Sequence, residues 1–516
     1  MGGATARTER VTFHYPPLPE FKLYLAAVSS AIVYGFYCIY TVSRDYEWTM
    51  GDHGVLETLP LIGPVMKDVS SWEWANYSPF MWQYLTVFVG HTVVFNVGSK
   101  LLPEFWFTIL YTLVSIAACA YYFTPHLVAI SLCQGAFTFG ATHFYRHKST
   151  IWISSLPLLY YMMHMSTMLS ENPFFIFTFV SYSMLSYISY CMDTLKGPVR
   201  AEDNTVAKSF LRMLFYTFYQ PYLFSLIVLY ADFERQLAER KHRNRDWKGA
   251  LFYAIRIAFW WVMIELALHF FYYEVILARV EYAATLPKDK FFALGLCLGI
   301  FFHLKYVVIF GIPTAFARFD NMDPQPGPIC ISRVMLFSKI WREFDRGLYQ
   351  FFKQYIFVPI CAPTFSLPRK VFGVIVSYSF VLLWHGFYHH NIVWIALNIA
   401  ALFMEMTAKS LYAIESLRRW REKNISDVAF RRILGPLQVV PFAFGLYSNI
   451  YFLGGSETGA SFVKRIFDEE TIPLRWPGAF LLSLGVCYAQ VSMEVERLTG
   501  EAERKNGKQK LGKKSE

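Results

Sequence analysis

Apolar residues in this chain gather into long blocks separated by short polar links. The blocks cover 23–41, 81–98, 105–123, 126–144, 151–168, 174–191, 250–278, 290–317, 371–388, 391–408, 433–453 and 475–493. A membrane-crossing helix needs roughly 20 mainly apolar residues, so each block predicts a crossing. Two further stretches, 209–230 and 341–361, are interrupted or amphipathic. Pro221 breaks the first, and Pro359 and Pro363 close the second, because proline cannot continue an interior helical hydrogen-bond ladder. No polar stretch is long enough for a globular domain, and no internal repeat is visible. The pattern predicts an all-α integral membrane protein, a multi-pass helical bundle of about 10–12 crossings.

The distribution of charge orients the bundle. Basic residues collect from Arg235 to Lys248, from Arg418 to Arg432 and from Arg504 to Lys514. The link after the first block is acidic instead, with Asp45, Glu47, Asp52, Glu57 and Glu73. Cytosolic links are rich in lysine and arginine, which makes the acidic link luminal. Six crossings precede residue 200, so 209–230 cannot cross singly and still leave Arg235 in the cytosol. By the same parity 341–361 dips in and returns. Two re-entrant segments follow, tolerated where protein buries the freed backbone or water reaches it.

The expected divisions are a cytosolic segment over 1–22, a membrane-embedded domain over 23–495 and a basic cytosolic tail over 496–516, read as disordered. The polar start (TFHYPPLPEFK) does not read as a cleavable signal, and the run from Leu23 reads as a signal-anchor. The final KKSE resembles a dilysine retrieval signal of the endoplasmic reticulum. Its plain alternative is a basic tail drawn to anionic lipid.

Composition agrees with the membrane reading. Of 516 residues, 55% are hydrophobic and only 17% charged, against about a quarter in soluble domains. The net charge of +10 flanks apolar blocks and forms no soluble basic face, which argues against nucleic acid. Cysteines at 38, 119, 133, 191, 297, 330, 361 and 487 form no CxxC pair, and most fall inside apolar runs as small buried hydrophobes.

Two ionisable residues stand out against this background. Asp345 opens the amphipathic segment, and His385 lies forty positions on, near the end of an apolar run between Trp384 and Gly386. Ionisable groups at membrane depth are costly and mark functional sites by default. For His385 the plain alternative is an interhelical hydrogen bond. For Asp345 it is a surface charge paired with Arg342 or Arg346. His389, His390 and Asn391 read as interfacial positions at a luminal helix end. A neutral imidazole can take a proton in a transition state. No GxSxG, Walker loop, HExxH or CxxC motif is present. A lone buried base suggests direct transfer from an activated donor to an acceptor that must lose a proton, as in acyl transfer from a thioester.

WREFDRGL at 341–348, WHG at 384–386 and SNIYFLGGSETG at 448–459 together resemble the membrane-bound O-acyltransferase family, and within it the hedgehog-type branch. YTVSRDYE, SWEW, GHTVVF and YVVIFGIPTAFARFD extend the resemblance over nearly the whole chain. The resemblance implies transfer of a fatty acyl group from acyl-coenzyme A, with His385 and Asp345 as catalytic residues. It implies palmitoyl-coenzyme A as donor and the N-terminal cysteine amine of a secreted signalling protein as acceptor. Trp341, Arg342 and Asn449 would line the acyl-coenzyme A site, and Cys330 would be the axial thiolate of a haem b. Basic residues near Arg342 would hold the donor's phosphates, with Phe351, Phe352 and Tyr355 walling the acyl cavity. One departure concerns FYQPYLFSLIVLY, which keeps Phe218, Tyr219 and Pro221 but lacks the Gly-Pro pair that usually follows. The alternatives are an O-acyltransferase acting on a protein serine or a lipid hydroxyl, a non-catalytic maturation factor for membrane proteins of the endoplasmic reticulum, and a transporter. The last would show inverted repeats, which the chain lacks.

Overall fold

The computed structural model describes residues 13–195, 197, 200, 205–467 and 476–512. The KKSE signal and the first twelve residues lie outside the described residues. The described residues are helical almost throughout, and ten helices among them are long and apolar enough to cross a membrane. Helix α1 (Phe21–Tyr46) leads into a hairpin of β1 (Gly54–Leu59) and β2 (Gly63–Asp68). Then come α2 (Trp72–Leu101), α3 (Glu104–Phe123), α4 (Pro125–Phe144) and α5 (Lys148–His164). A wide π turn over Ile176–Val180 enters α6 (Ser181–Thr194). Helices α2 and α5 run the length of the bundle too, but α2 carries Glu73 and Lys100 at its ends, and α5 has only 17 residues. Leu23, Val33, Trp82, Ile153 and Phe252 are exposed on the outside, so the bundle turns apolar side chains outward as lipid-facing helices do.

The stretch expected to re-enter does so through a broken helix. Helix α7 (Val206–Thr217) stops at FYQP, a tight turn covers Gln220–Tyr222, extended chain follows, and α8 (Tyr230–Glu239) returns. The break strips backbone groups of partners, and side chains replace them. Ser115 donates to the Phe218 carbonyl at 2.5 Å, Gln220 N–H donates to the Tyr111 hydroxyl at 3.0 Å, and Tyr216 donates to the Val228 carbonyl at 2.6 Å. Pro221 itself has no N–H to lose. Within this segment Ser225 takes a positive φ of 77°.

Helix α9 (Trp247–Ala267) precedes α10 (Lys288–Phe319), whose end carries the fully buried Asp320. Asp320 accepts from Asn96 at 2.7 Å and Tyr219 at 2.7 Å, and lies 2.6 Å from His91 Nε2. One carboxylate thus pins the FYQP break to α2 and α10. A second interrupted segment comprises α11 (Phe337–Glu343), α12 (Arg346–Phe352), a π turn over Lys353–Phe357 and a last turn ending at Cys361. Then follow α13 (Leu367–His385), α14 (His389–Ala413), the short α15 (Glu415–Asn424), α16 (Asp427–Phe467, broken at Gly455) and α17 (Trp476–Gly512).

The start of the chain docks at the end where α15 lies. Phe13 meets Phe430 edge-on, and Arg431, fully buried, pairs with Glu494 at 2.7 Å and donates to the Pro16 carbonyl. The tail expected to be disordered instead continues α17 to Gly512. Its Glu, Arg, Lys and Gln residues are good helix formers, and the Arg497–Glu501 pair at 2.6 Å adds an i,i+4 contact.

The hairpin is tied to the bundle by a buried carboxylate. Asp68 accepts from the backbone of Ser70 at 2.9 Å and of Val275 at 3.3 Å, and burial pushes its carboxyl from 3.8 up to about 6. A group raised on folding contributes stability that is complete below its unfolded value and lost as pH rises through about 6. The size is at most about 3 kcal/mol. The melting temperature of the detergent-solubilised protein should therefore fall as pH rises from about 4 to about 6 and level off above that. Asp68→Asn, which leaves one N–H without its acceptor, should lower the whole curve but flatten that slope. An unchanged slope removes Asp68 as its source.

Candidate active site

The two interrupted segments meet backbone to backbone. A β-carbon on Gly347 would drive into the Ile227 carbonyl, so only glycine lets α12 lie this close to the FYQP segment. Asp345 stands at the start of α12 as its N-cap, accepting from Leu348 N–H at 2.8 Å. It lines a narrow recess with Leu226, Val228, Phe310, Thr314 and Gln325. The surface pairing considered for Asp345 does not form. Arg342 and Arg346 both turn to Glu343, at 3.2 and 3.4 Å. Asp345 therefore has no cationic partner, and its carboxylate is held by the helix start alone.

His385 is the last residue of α13. Trp394 and Phe452 stand edge-on to its ring at 5.2 and 5.0 Å. The His385 side chain is nevertheless exposed, so it borders open space. The turn that stops the helix here is built for the purpose. Gly386 takes φ 88° and ψ 153°, and a β-carbon there would come within 2.8 Å of the Tyr388 ring. Asn391 closes the turn, donating to the carbonyls of His385 at 2.7 Å and Gly386 at 3.0 Å. The interfacial reading of Asn391 is corrected. It is buried, and it holds the backbone that aims His385.

Trp341 stacks on Trp394 at 5.9 Å, meets Tyr378 at 4.8 Å and donates to Asn398 at 2.8 Å. One turn of α16 brings Ser448, which accepts from Asn398, together with the half-buried Asn449. Trp341, Trp394, His385 and Phe452 thus form one continuous aromatic wall. Arg342 points away, into an opening of about 550 Å³ that it shares with Asp232, Gln325, Arg346, Tyr349 and Lys353. Gln325 and Arg346 line both this opening and the Asp345 recess. Phe351, Phe352 and Tyr355 are packed in the core against Trp152 and Phe380, and the Tyr355 hydroxyl lies 2.8 Å from Ser189.

Cys330 is half-buried at the start of a turn over Ile331–Arg333. It offers one thiol. Among the described residues no three His, Cys, Asp or Glu side chains gather as a metal site. That single thiol is all that Cys330 is seen to offer a haem, and no step below runs through one. All eight cysteines are free thiols.

Tyr182, which sequence reasoning missed, joins the two halves of the site. Its ring meets Trp384 edge-on at 5.6 Å, and its hydroxyl lies within electrostatic reach of Asp345. It sits among apolar and small residues with no motif around it, so nothing in the pattern set it apart. The arrangement is an open imidazole, an unpaired carboxylate and a cationic opening inside a helical membrane bundle. That defines a membrane-embedded transferase.

The comparisons name the family. The profile of the membrane-bound O-acyltransferase family matches residues 199–436. The chain is 26% identical over 498 residues to the protein-cysteine N-palmitoyltransferase HHAT of Mus musculus, covering 92% of this chain and 98% of that protein. It is 32% identical over 284 residues to the protein-cysteine N-palmitoyltransferase Rasp of Drosophila melanogaster, covering 54% of this chain and 55% of that one. A mouse HHAT-like protein is 24% identical over 339 residues, 64% of each chain. The chain is thus similar to the membrane-bound O-acyltransferase family over residues 199–436 and, along most of its length, to a protein-cysteine N-palmitoyltransferase.

Because Asn391 acts on the backbone that carries His385, Asn391→Ala should lower kcat about tenfold or more, a loss that a misplaced catalytic group readily causes. Binding of acyl-coenzyme A should hardly change. Equal losses in kcat and in acyl-coenzyme A affinity would mean general unfolding instead.

Proposed function

We propose that this protein transfers a long-chain acyl group, palmitoyl, from acyl-coenzyme A to the N-terminal cysteine amine of a secreted signalling protein in the endoplasmic reticulum membrane. The observation that carries this reading is the placement of His385 and Asp345. Forty positions apart in the chain, they come from two elements that converge on Tyr182. The near full-length likeness to a protein-cysteine N-palmitoyltransferase supports the choice of acceptor and acyl chain.

Arg342, Arg346 and Lys353 line one opening, where they offer cations to the diphosphate and phosphate of coenzyme A. The basic end of the bundle, which also carries both described termini, would be cytosolic. The acceptor would enter from the hairpin end. Its nitrogen attacks the thioester carbonyl, His385 takes the proton released from the amine, and the coenzyme A thiolate leaves and is protonated. Asp345 orients the amine and offsets the positive charge that grows on nitrogen. Trp341 gates between the acyl chain and the peptide, with Asn449 beside it on the donor side. Alignment of two substrates that arrive from opposite faces supplies much of the rate.

The test supplies labelled palmitoyl-coenzyme A with synthetic peptides that begin in cysteine, with the amine free or acetylated. Label should enter the free peptide as an amide stable to hydroxylamine. His385→Ala should lower the rate about 100-fold or more, as loss of a general base does. Equal labelling of both peptides would overturn the amine reading, and an unaffected His385→Ala would overturn the mechanism.

A further inference from the structure

Glu73 stands in the first turn of α2, directly after the hairpin. Its two oxygens are used unequally. Oε1 accepts from the Tyr306 hydroxyl at 2.8 Å, while Oε2 is 4.0 Å from Lys305 Nζ, too far for a hydrogen bond. Lys305 is occupied elsewhere, donating to Ser71 at 2.8 Å. The Glu73 side chain keeps about a third of its surface open, and its Oε2 accepts no hydrogen bond among the described residues.

Tyr306 links Glu73 to the segment that carries Asp345. The Tyr306 ring lies against Phe344, the residue before Asp345, at 5.4 Å. The Tyr182 hydroxyl lies within electrostatic reach of both Glu73 and Asp345, makes no hydrogen bond among the described residues, and belongs to the ring that meets Trp384 beside His385. From the hairpin end inward there is thus a row: a carboxylate with a spare acceptor, two tyrosine hydroxyls, then Asp345 and His385. The mechanism above uses neither Glu73 nor Tyr306.

We propose that Glu73, with the Tyr306 and Tyr182 hydroxyls, is the docking site that recognises the acceptor's protonated N-terminal amine before it reaches Asp345 and His385. An α-amine has a pKa near 7.7–8.0, so much of it is an ammonium at neutral pH. A partly buried carboxylate with a free oxygen discriminates an ammonium from an acetylated terminus or a hydroxyl, through a charge-assisted hydrogen bond. No bond is made or broken at this site. Glu73 is a positioning and specificity residue, and the inference rests on the amine-acylating reading above.

The test uses the full-length protein and two non-reacting peptides as competitive inhibitors. One carries an N,N-dimethylated terminus, which keeps the charge and one N–H but forms no stable amide. The other is acetylated. The wild type should bind the dimethylated peptide about tenfold more tightly or better. Glu73→Gln, whose amide oxygen still accepts from Tyr306, should bring the two inhibition constants together. It should raise the peptide KM about tenfold while kcat and the acyl-coenzyme A KM stay near wild type, and Glu73→Asp should recover part of the loss. Unchanged inhibition constants and KM in Glu73→Gln would overturn this site while leaving the amine reading intact. Wild type that labels free and acetylated peptides equally would fail the amine reading itself.

Discussion

The contact of Gly347 with the Ile227 carbonyl is the constraint on which the site depends. Each of the two segments that meet there has given up a continuous helix, and each exposes backbone polar groups that lipid cannot satisfy. Packed together, they bury those groups in protein and leave a recess between them. Asp345 stands at its wall because the α12 start needs a cap and the carboxylate supplies one. Any side chain at position 347 would separate the segments and move that cap.

The same logic explains why so much polar chemistry sits away from the reaction centre. Asp320, His91, Asn96, Tyr219 and Tyr111 form a buried network, and Arg240 and Arg245 reach the Asn96 carbonyl at 3.3 and 2.7 Å. Every member has a partner, as a buried network must if it is to fix one conformation. It fixes the FYQP turn, the turn fixes Ile227, and Ile227 fixes the depth of α12. The positive φ of Ser225 sits inside this frame, beside the Tyr216 bond to the Val228 carbonyl.

Much of this was legible in the chain, for physical reasons that differ by residue. Apolar blocks report crossings directly, because lipid tolerates little else. His385 and Asp345 stood out because ionisable groups are rare in such blocks. Asn391 was misread because three polar residues in a row look the same at an interface and at a buried turn. Only the φ of Gly386 and the two carbonyls left by the ended helix show what the amide is for. The tail was read as disordered from its lack of an apolar stripe, but α17 needs none there, since an already nucleated helix propagates cheaply through good helix formers.

Tyr182 and Glu73 were invisible for a different reason. Each matters only through partners more than a hundred positions away: Trp384 and Asp345 for one, Tyr306 for the other. Composition and spacing record what a residue is and not what it faces. The site also separates two kinds of carboxylate that sequence treats alike. Asp345 is locked by a helix start at the centre of the bundle, where it can act on a group already in place. Glu73 keeps one oxygen free at the approach, where it can choose what enters. If donor and acceptor come from opposite ends, selectivity for an amine is best exercised before the thioester is reached, because a carboxylate that held the ammonium tightly at the reaction centre would oppose the loss of its proton. The division between a capped inner carboxylate and a half-open outer one meets that requirement.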